Sequence, residues 1–319
     1  MVNKNILEFE KPLLELEEKI EELNNFMKEK DLDLTDEINN LKKRAEKLQE
    51  EIYNNLEPWQ ILKIARHPER PTTRDYIDRM FSDFIELHGD RQFGDDDALI
   101  GGIGIINNTQ PVTIIGHQKG KSTKENIKRN FGMGHPEGYR KAMRLMKQAE
   151  KFNRPIVTLV NTPGAYPGIG AEERGQAQAI AYNLQEMSDL EVPIVVVIIG
   201  EGGSGGALGI GIGDKVMMFE YSYYSVCSPE ACATILWKDS EQAPKASDAL
   251  SLTAMNLKEL NIIDKIINEP DGGAHKNKDR AAAILQKELI GTIDELNNMS
   301  REELLNRRYQ KFRSLGKYS

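Results

Sequence analysis

Cysteine is almost absent from this 319-residue chain: only Cys227 and Cys232 occur. Their separation by four residues matches neither a zinc-ligand pair nor a redox pair, and two cysteines exclude a disulfide scaffold. Histidine is sparse and scattered, at positions 67, 88, 117, 135 and 275, so no metal cluster is suggested. Basic charge is in deficit, with 42 Lys and Arg against 50 Asp and Glu and a net charge of −8. That balance argues against a general DNA or RNA binder, which needs a basic face to neutralise phosphates. The longest apolar run, Pro193 to Ile199, falls far short of the roughly 20 residues of a membrane helix. The N-terminus, MVNKNILEFEKPLLELEEKI, mixes acids and bases into its apolar positions and lacks the basic-then-apolar order of a secretory signal. A soluble cytoplasmic protein with no membrane partner is expected. A hydrophobic share of 39% together with 26 glycines is enough for a packed core and excludes a disordered chain. The length suits about two domains, or one large α/β domain with an appendage.

Near the N-terminus, Leu13, Leu16, Ile20, Leu23 and Met27 are spaced 3, 4, 3, 4, and the spacing returns at Ile38, Leu41, Ala45, Leu48 and Ile52. Two amphipathic helices follow, broken at the polar stretch Asp31 to Asp36, where Thr35 is expected as N-cap. Too few heptads are present for a coiled-coil rod, so residues 1–56 are read as a helical hairpin for subunit assembly. Residues 57–97, with Pro58, Pro68 and Pro71, read as a connector carrying one helix from Thr73 to Leu87. Ala98 to Ile106 and Val112 to His117, either side of Asn107-Asn108, read as a β-hairpin. Alternating units follow: helix Glu137 to Lys151, strand Ile156 to Val160, helix Glu172 to Met187, strand Ile194 to Ile199, a short helix from Gly206 to Ile212, and strand Val216 to Phe219. Continuous β-branched runs between helices indicate strands buried on both faces of a largely parallel sheet. The tail, Lys278 to Tyr318, reads as helical, with a capping-box pattern at Ser300 and Glu303. The fold class is therefore α/β, with residues 98–319 as the main domain.

The chemistry concentrates in PIVVVIIGEGGSGGALGIGIGDKVMMFE, residues 193–220, where a buried strand runs into a glycine-rich turn and a helix. Glycines there let bare backbone N–H groups approach an electron-rich ligand closely, or let the turn pack tightly on a neighbour. Three functional readings stand side by side. Gly200, Gly202 and Gly205 satisfy G-x-G-x-x-G with Glu220 twenty residues on, a dinucleotide-binding pattern. Gly202, Ser204 and Gly206 satisfy G-x-S-x-G, with Asp264 and His275 downstream in hydrolase order. The third is an oxyanion hole built from N–H groups near Gly205, Gly206 and Ala207, which requires no side-chain nucleophile. A second glycine loop, NTPGAYPGIGAEERGQ from Asn161, follows the preceding strand, and loops at adjacent strand ends can wall one cleft.

The pair TPGAYPG (162–168) and GEGGSGGALGIGIGD (200–214), with SPEACATILWKD (228–239) and GHQKGKSTKENIKRNFGMGHPEGYRKAMRLM (116–146), resembles the α subunit of bacterial acetyl-CoA carboxylase carboxyltransferase. The likeness extends over nearly the whole chain, including the helical hairpin. It implies a crotonase-like spiral of ββα units and transfer of a carboxyl group to acetyl-CoA, giving malonyl-CoA for fatty acid biosynthesis. The donor implied is biotin, as carboxybiotin on a separate biotin carboxyl carrier protein charged by biotin carboxylase. A carboxyltransferase β subunit is the implied partner, in a heterotetramer of two α and two β chains. By the same resemblance Gly205, Gly206 and Ala207 face the ureido oxygen of biotin, and Gly203, Ser204, Gly164, Ala165, Tyr166 and Gly168 form the pocket. No metal is implied in this chain. The basic residues Lys119, Lys121, Lys124, Lys128 and Arg129 are either a solvated face or a contact for CoA phosphates or the carrier.

Overall fold

The computed structural model describes residues 6–30 and 33–316. Helices α1 (Lys11–Lys30) and α2 (Thr35–Asn54) pack together along the seam that the 3,4 spacing marks, with Leu13, Ile38 and Ala45 buried. Thr35 is the first helical residue rather than the cap; its N–H donates to Asp33 Oδ1 at 3.1 Å. Asp31 and Leu32 of the expected break lie outside the described residues. At the base of the hairpin the Tyr53 hydroxyl donates to Glu10 Oε1 at 2.7 Å and to the Gly272 carbonyl at 3.1 Å. Lys276 also pairs with Glu10, which ties the hairpin to the loop before the C-terminal helices.

Helices α3 (Pro58–Ala65) and α4 (Thr73–Met80) lead into strand β1 (Phe81–Glu86). The expected single helix from Thr73 to Leu87 therefore ends at Met80. Phe81 leaves helical geometry at φ −122°, ψ 139°, and pairs with Ile106 across an antiparallel ladder. A pairing partner twenty-five residues away overrides the local periodicity, so the sheet reaches back into the stretch read as connector. The hairpin forms between β2 (Leu99–Ile106) and β3 (Gln110–His117), in register from Leu99↔His117 to Ile106↔Gln110. Asn107 and Asn108 both take positive φ, 53° and 59°, the geometry that matches the twist of a tight hairpin.

Helices α5 (Thr123–Lys128) and α6 (Pro136–Lys151), strand β4 (Ile156–Thr162), helices α7 (Ile169–Glu173) and α8 (Gln176–Asp189), strand β5 (Ile194–Gly203) and helix α9 (Ser204–Leu208) follow. The single helix expected from Glu172 to Met187 is thus two, divided at Gly175, whose φ of 83° no helix accommodates. Next come β6 (Lys215–Phe219), β7 (Tyr223–Ser225), α10 (Pro229–Trp237), α11 (Ala243–Ala249), α12 (Ala254–Glu259), β8 (Lys265–Ile267), α13 (Lys278–Asn297) and α14 (Arg301–Arg313). Ser300 caps α14 by accepting the Glu303 N–H.

The strands form one sheet in the order β1-β2-β3-β4-β5-β6-β8, with β7 joining the far end of β5. From β3 onward all pairings are parallel. Strand alternation divides the core between two faces. Val195, Val197 and Ile199 of β5 meet Leu285, Leu289 and Ile293 of α13 on one face. Ile194, Val196 and Ile198 meet Leu145 and Met146 of α6 and Met187 of α8 on the other. Two buried faces explain why these strands read as continuous apolar runs. The arrangement also brings the C-terminal ends of β4 and β5 side by side with their glycine loops.

Candidate functional site

The two loops touch backbone to backbone. A Cβ added to Gly203 would lie 2.1 Å from the Pro163 carbonyl oxygen, and one added to Gly206 would lie 2.3 Å from the Gly164 carbonyl carbon. Only residues without side chains allow that approach. Gly205 differs: a Cβ there would meet nothing nearer than Ile180 Cδ1 at 3.7 Å. Glycine is thus required beneath the turn for packing and leaves open space at its surface.

That space belongs to a cleft of about 990 Å³ lined by Gly164, Ala165, Tyr166, Ser204 and Gly205, with Ile180, Val226 and Cys227 as further walls. Gly203, Gly206 and Ala207 lie underneath, fully buried. Gly168 caps α7 and makes room for the Tyr166 ring, which a Cβ at that position would meet at 2.4 Å. Tyr166 is stacked on His135 at 4.2 Å, and its N–H donates to the Gly134 carbonyl. The first residues of a helix have amide N–H groups without intrahelical partners, and α9 begins at Ser204 with no side-chain cap.

Three buried polar groups support the turn from behind, and sequence reasoning gave none of them a role there. The Tyr139 hydroxyl donates to the Gly206 carbonyl at 3.2 Å, and Asn183 Nδ2 donates to the Gly209 carbonyl at 2.9 Å. His117 is wholly buried against the backbone of Gly206 and Leu159, and burial pushes its imidazole down to about 3, so it is neutral near pH 7. Glu201, a lone acid in an otherwise apolar and glycine strand, gathers a network. It accepts from Arg66 Nε at 2.7 Å, from the Tyr223 hydroxyl at 2.7 Å and from Lys119 Nζ. Burial raises the Glu201 carboxyl, but the Lys119 and Arg66 charges outweigh it and hold the group at about 2. Arg66 also reaches Glu230 of α10, joining the cleft's rim to the strand. The one signal available in the sequence was the acid inside GEGG.

The basic segment is largely neutralised within the chain. Lys119 is taken by Glu201, Lys121 by Asp75 and Lys128 by Asp97, while Arg129 donates to the Asp97 carbonyl. Lys124 is exposed.

The two rival readings lose their geometry. Asp264 accepts the Val216 N–H and pairs with Lys311, and His275 is stacked on His67 at 4.0 Å. Neither lines the cleft that Ser204 lines, so no hydrolase triad is assembled. Gly200 and Gly202 lie inside β5 rather than in a strand-to-helix turn, Gly202 pairing with Thr162 and Tyr224. Glu220 accepts the Glu269 N–H at 2.6 Å instead of closing a ribose site. Burial, reinforced by the Glu269 charge, raises the Glu220 carboxyl to about 7. The folded form therefore holds a proton that the unfolded chain has released, and Glu220's stabilisation, complete below about pH 4.5, is lost as pH rises through 7. Glu220→Gln is expected to raise the melting temperature at pH 8 and leave it unchanged at pH 4.5; equal effects at both pH values would contradict this.

The family model described as acetyl co-enzyme A carboxylase carboxyltransferase-like matches residues 6–316. The chain belongs to this carboxyltransferase family. Among its relatives, the acetyl-coenzyme A carboxylase carboxyl transferase subunit alpha of Halalkalibacterium halodurans is 58% identical over 98% of this chain and 96% of its own. The subunit of the same name from Oceanobacillus iheyensis is 57% identical over 98% of both. Solved structures show the crotonase-like carboxyltransferase fold at low identity. Transcarboxylase 12S superposes with a TM-score of 0.57 at 19% identity, covering 70% of this chain and 41% of its own. A chain of the Pseudomonas malonate decarboxylase hetero-tetramer, solved with coenzyme A, superposes with a TM-score of 0.56 at 14% identity, covering 68% of this chain and 86% of its own. The chain thus spans less than half the length of the transcarboxylase chain. No helix among the described residues is long and apolar enough to cross a membrane, and none of their His, Cys, Asp and Glu side chains form a group of three suited to a metal ion.

Proposed function

We propose that this chain is the α subunit of an acetyl-CoA carboxylase carboxyltransferase, acting in the cytoplasm to make malonyl-CoA for fatty acid biosynthesis. In this reading it binds the carboxybiotin of a carrier protein in the cleft between the two glycine loops and works together with a β subunit that supplies the hole for the acetyl thioester. The carrying observation is the backbone contact of Gly203 with Pro163 and of Gly206 with Gly164, which leaves the Ser204–Gly205 backbone facing an open cleft. The residues present fit a bound biotin: Ile180, Val226 and Ala165 offer apolar walls to a ring, and Gly205 adds no side chain to obstruct it.

When bound, carboxybiotin would supply a carboxyl group on a ureido nitrogen, whose departure to the acetyl carbon would leave negative charge on the ureido oxygen. The chain's part is to receive that charge. Amide N–H groups at the Ser204–Gly205 turn would donate to the oxygen, with those of Gly206 and Ala207 completing the first turn of α9. Such a preorganised donor is worth roughly 2.7–4 kcal/mol of transition-state stabilisation. Tyr166, held by His135, closes the opposite wall, and the buried Tyr139, His117 and Glu201 groups keep the turn rigid.

The deciding assay is malonyl-CoA-dependent carboxylation of free biocytin by this chain, by the β partner and by the mixture. Activity is expected in the mixture alone. A folded, co-eluting mixture without activity would refute the assignment.

A further inference from the structure

Helices α6 and α8 and the turn around residues 88–94 line a second, open cavity of about 690 Å³, within the size range of small-molecule sites. It adjoins the first, since Gly175 and Gln178 line both. Most cations on its wall are already paired: Arg140 with Asp90, Arg174 with Glu137, Lys147 with Glu186. Among the described residues, Arg91 and Arg144 have no carboxylate partner of this kind. Arg91 Nη1 donates to the His88 carbonyl at 2.9 Å, and Arg144 donates to the Gly89 and His88 carbonyls at 3.0 and 3.2 Å.

Both guanidinium groups therefore converge on one turn with carbonyls, not carboxylates, as their hydrogen-bond acceptors. Each keeps further N–H donors, and the two charges repel. Burial and the Arg91 charge push the Arg144 guanidinium below its ordinary value, against the smaller opposing pull of the Asp95 and Asp90 carboxylates. A polyvalent anion bridging the pair would remove that repulsion and form charge-assisted, bidentate bonds. A separate feature points the same way. Helix α8, fourteen residues long, starts behind Gly175 at φ 83° with no side-chain cap, so its first-turn amides lack that partner where cavity and cleft meet. Tyr182, half exposed on the same wall, offers an aromatic face to a base.

We infer that this cavity binds the phosphates of a nucleotide, with Arg91 and Arg144 as the phosphate ligands. Two sources share that chemistry: the phosphorylated ADP end of an acyl-CoA, and a free nucleotide. The first deepens the carboxyltransferase reading and rests on it; the second does not depend on it. The segment from Lys119 to Arg129 is less suited to either, because its lysines at 119, 121 and 128 already face carboxylates.

The test is calorimetric titration of the full chain with ADP and with CoA at low salt, for the wild type and for Arg91→Asn with Arg144→Gln. Asparagine tolerates the left-handed φ of 68° at position 91, and glutamine retains a donor for the 88–89 carbonyls, so the melting temperature should hold. At least one probe is expected to bind the wild type and to lose about tenfold or more in affinity in the variant, with affinity falling as salt rises. Loss of both CoA and ADP binding assigns the acyl-CoA source. Loss of ADP binding with CoA affinity unchanged assigns a free nucleotide and leaves the carboxyltransferase reading untouched. Equal affinity of wild type and variant for both probes, or no binding of either at millimolar concentration, overturns the inference.

Discussion

Gly205→Val is expected to reduce malonyl-CoA-dependent carboxylation of biocytin by about 100-fold or more while moving the melting temperature by no more than about 2 °C. Adjacent glycines of this turn meet different surroundings. At Gly205 a Cβ meets only Ile180, at 3.7 Å, an ordinary contact, and the added methyls project into the open cleft. They would occupy the space from which an oxygen reaches the turn's N–H groups, without moving the turn. At Gly206 the same substitution would push against the Gly164–Ala165 backbone at 2.3–2.4 Å. Gly206→Val should therefore lose activity and stability together, and it discriminates less well between blocking the ligand and disturbing the loops. Full activity in Gly205→Val, with the β partner bound, would mean that no reacting group approaches this turn.

Arg308→Met is expected to destabilise the chain by about 3–5 kcal/mol, as removing one partner of a buried ion pair does. Arg308 is 1% exposed. Its guanidinium holds Asp214 through two bonds, at 2.8 and 2.7 Å, and donates to the carbonyls of Met187, Leu190 and Val192 at 2.9, 2.7 and 3.0 Å. Methionine fills similar volume but leaves a buried carboxylate and three carbonyls without this donor. Asp214 also accepts the Ile194 N–H at 2.8 Å, so the cluster fixes the entry to β5, whose far end carries the site. Urea unfolding monitored by circular dichroism measures the loss. Adding Asp214→Asn should recover part of it, because the uncompensated charge is gone while the Ile194 bond can persist. A loss below about 1 kcal/mol would show that water replaces Arg308 at this position.

Legibility varied with how local the deciding interaction was. The hairpin helices, the β2–β3 hairpin and the apolar strands were readable because periodicity and turn chemistry act within a few residues. β1 was not, since FSDFIE becomes a strand only through pairing with β2. The extension of β5 through Gly203 was missed for a similar reason: its glycines look like a turn, yet they pair with β7 and accept the Pro163 backbone. Among the candidate site residues, Gly164, Ala165, Tyr166, Ser204 and Gly205, named from the two loops, do share one cleft. Arg66 and Glu230 were not, because nothing local connects them to residue 201.

The sequence by itself determined the class of fold, the two glycine loops at strand ends and the family, since each depends on residue type and order along the chain. Only the tertiary structure decided which glycine faces the open cleft and which faces another backbone, because that depends on the neighbour across the gap. It also decided which charges are available. Lys119 and Arg91 look alike in one dimension, yet folding sets the first against Glu201 and the second beside Arg144. Coulomb energy varies with distance in space, not along the chain, so that difference appears only when the chain is closed on itself.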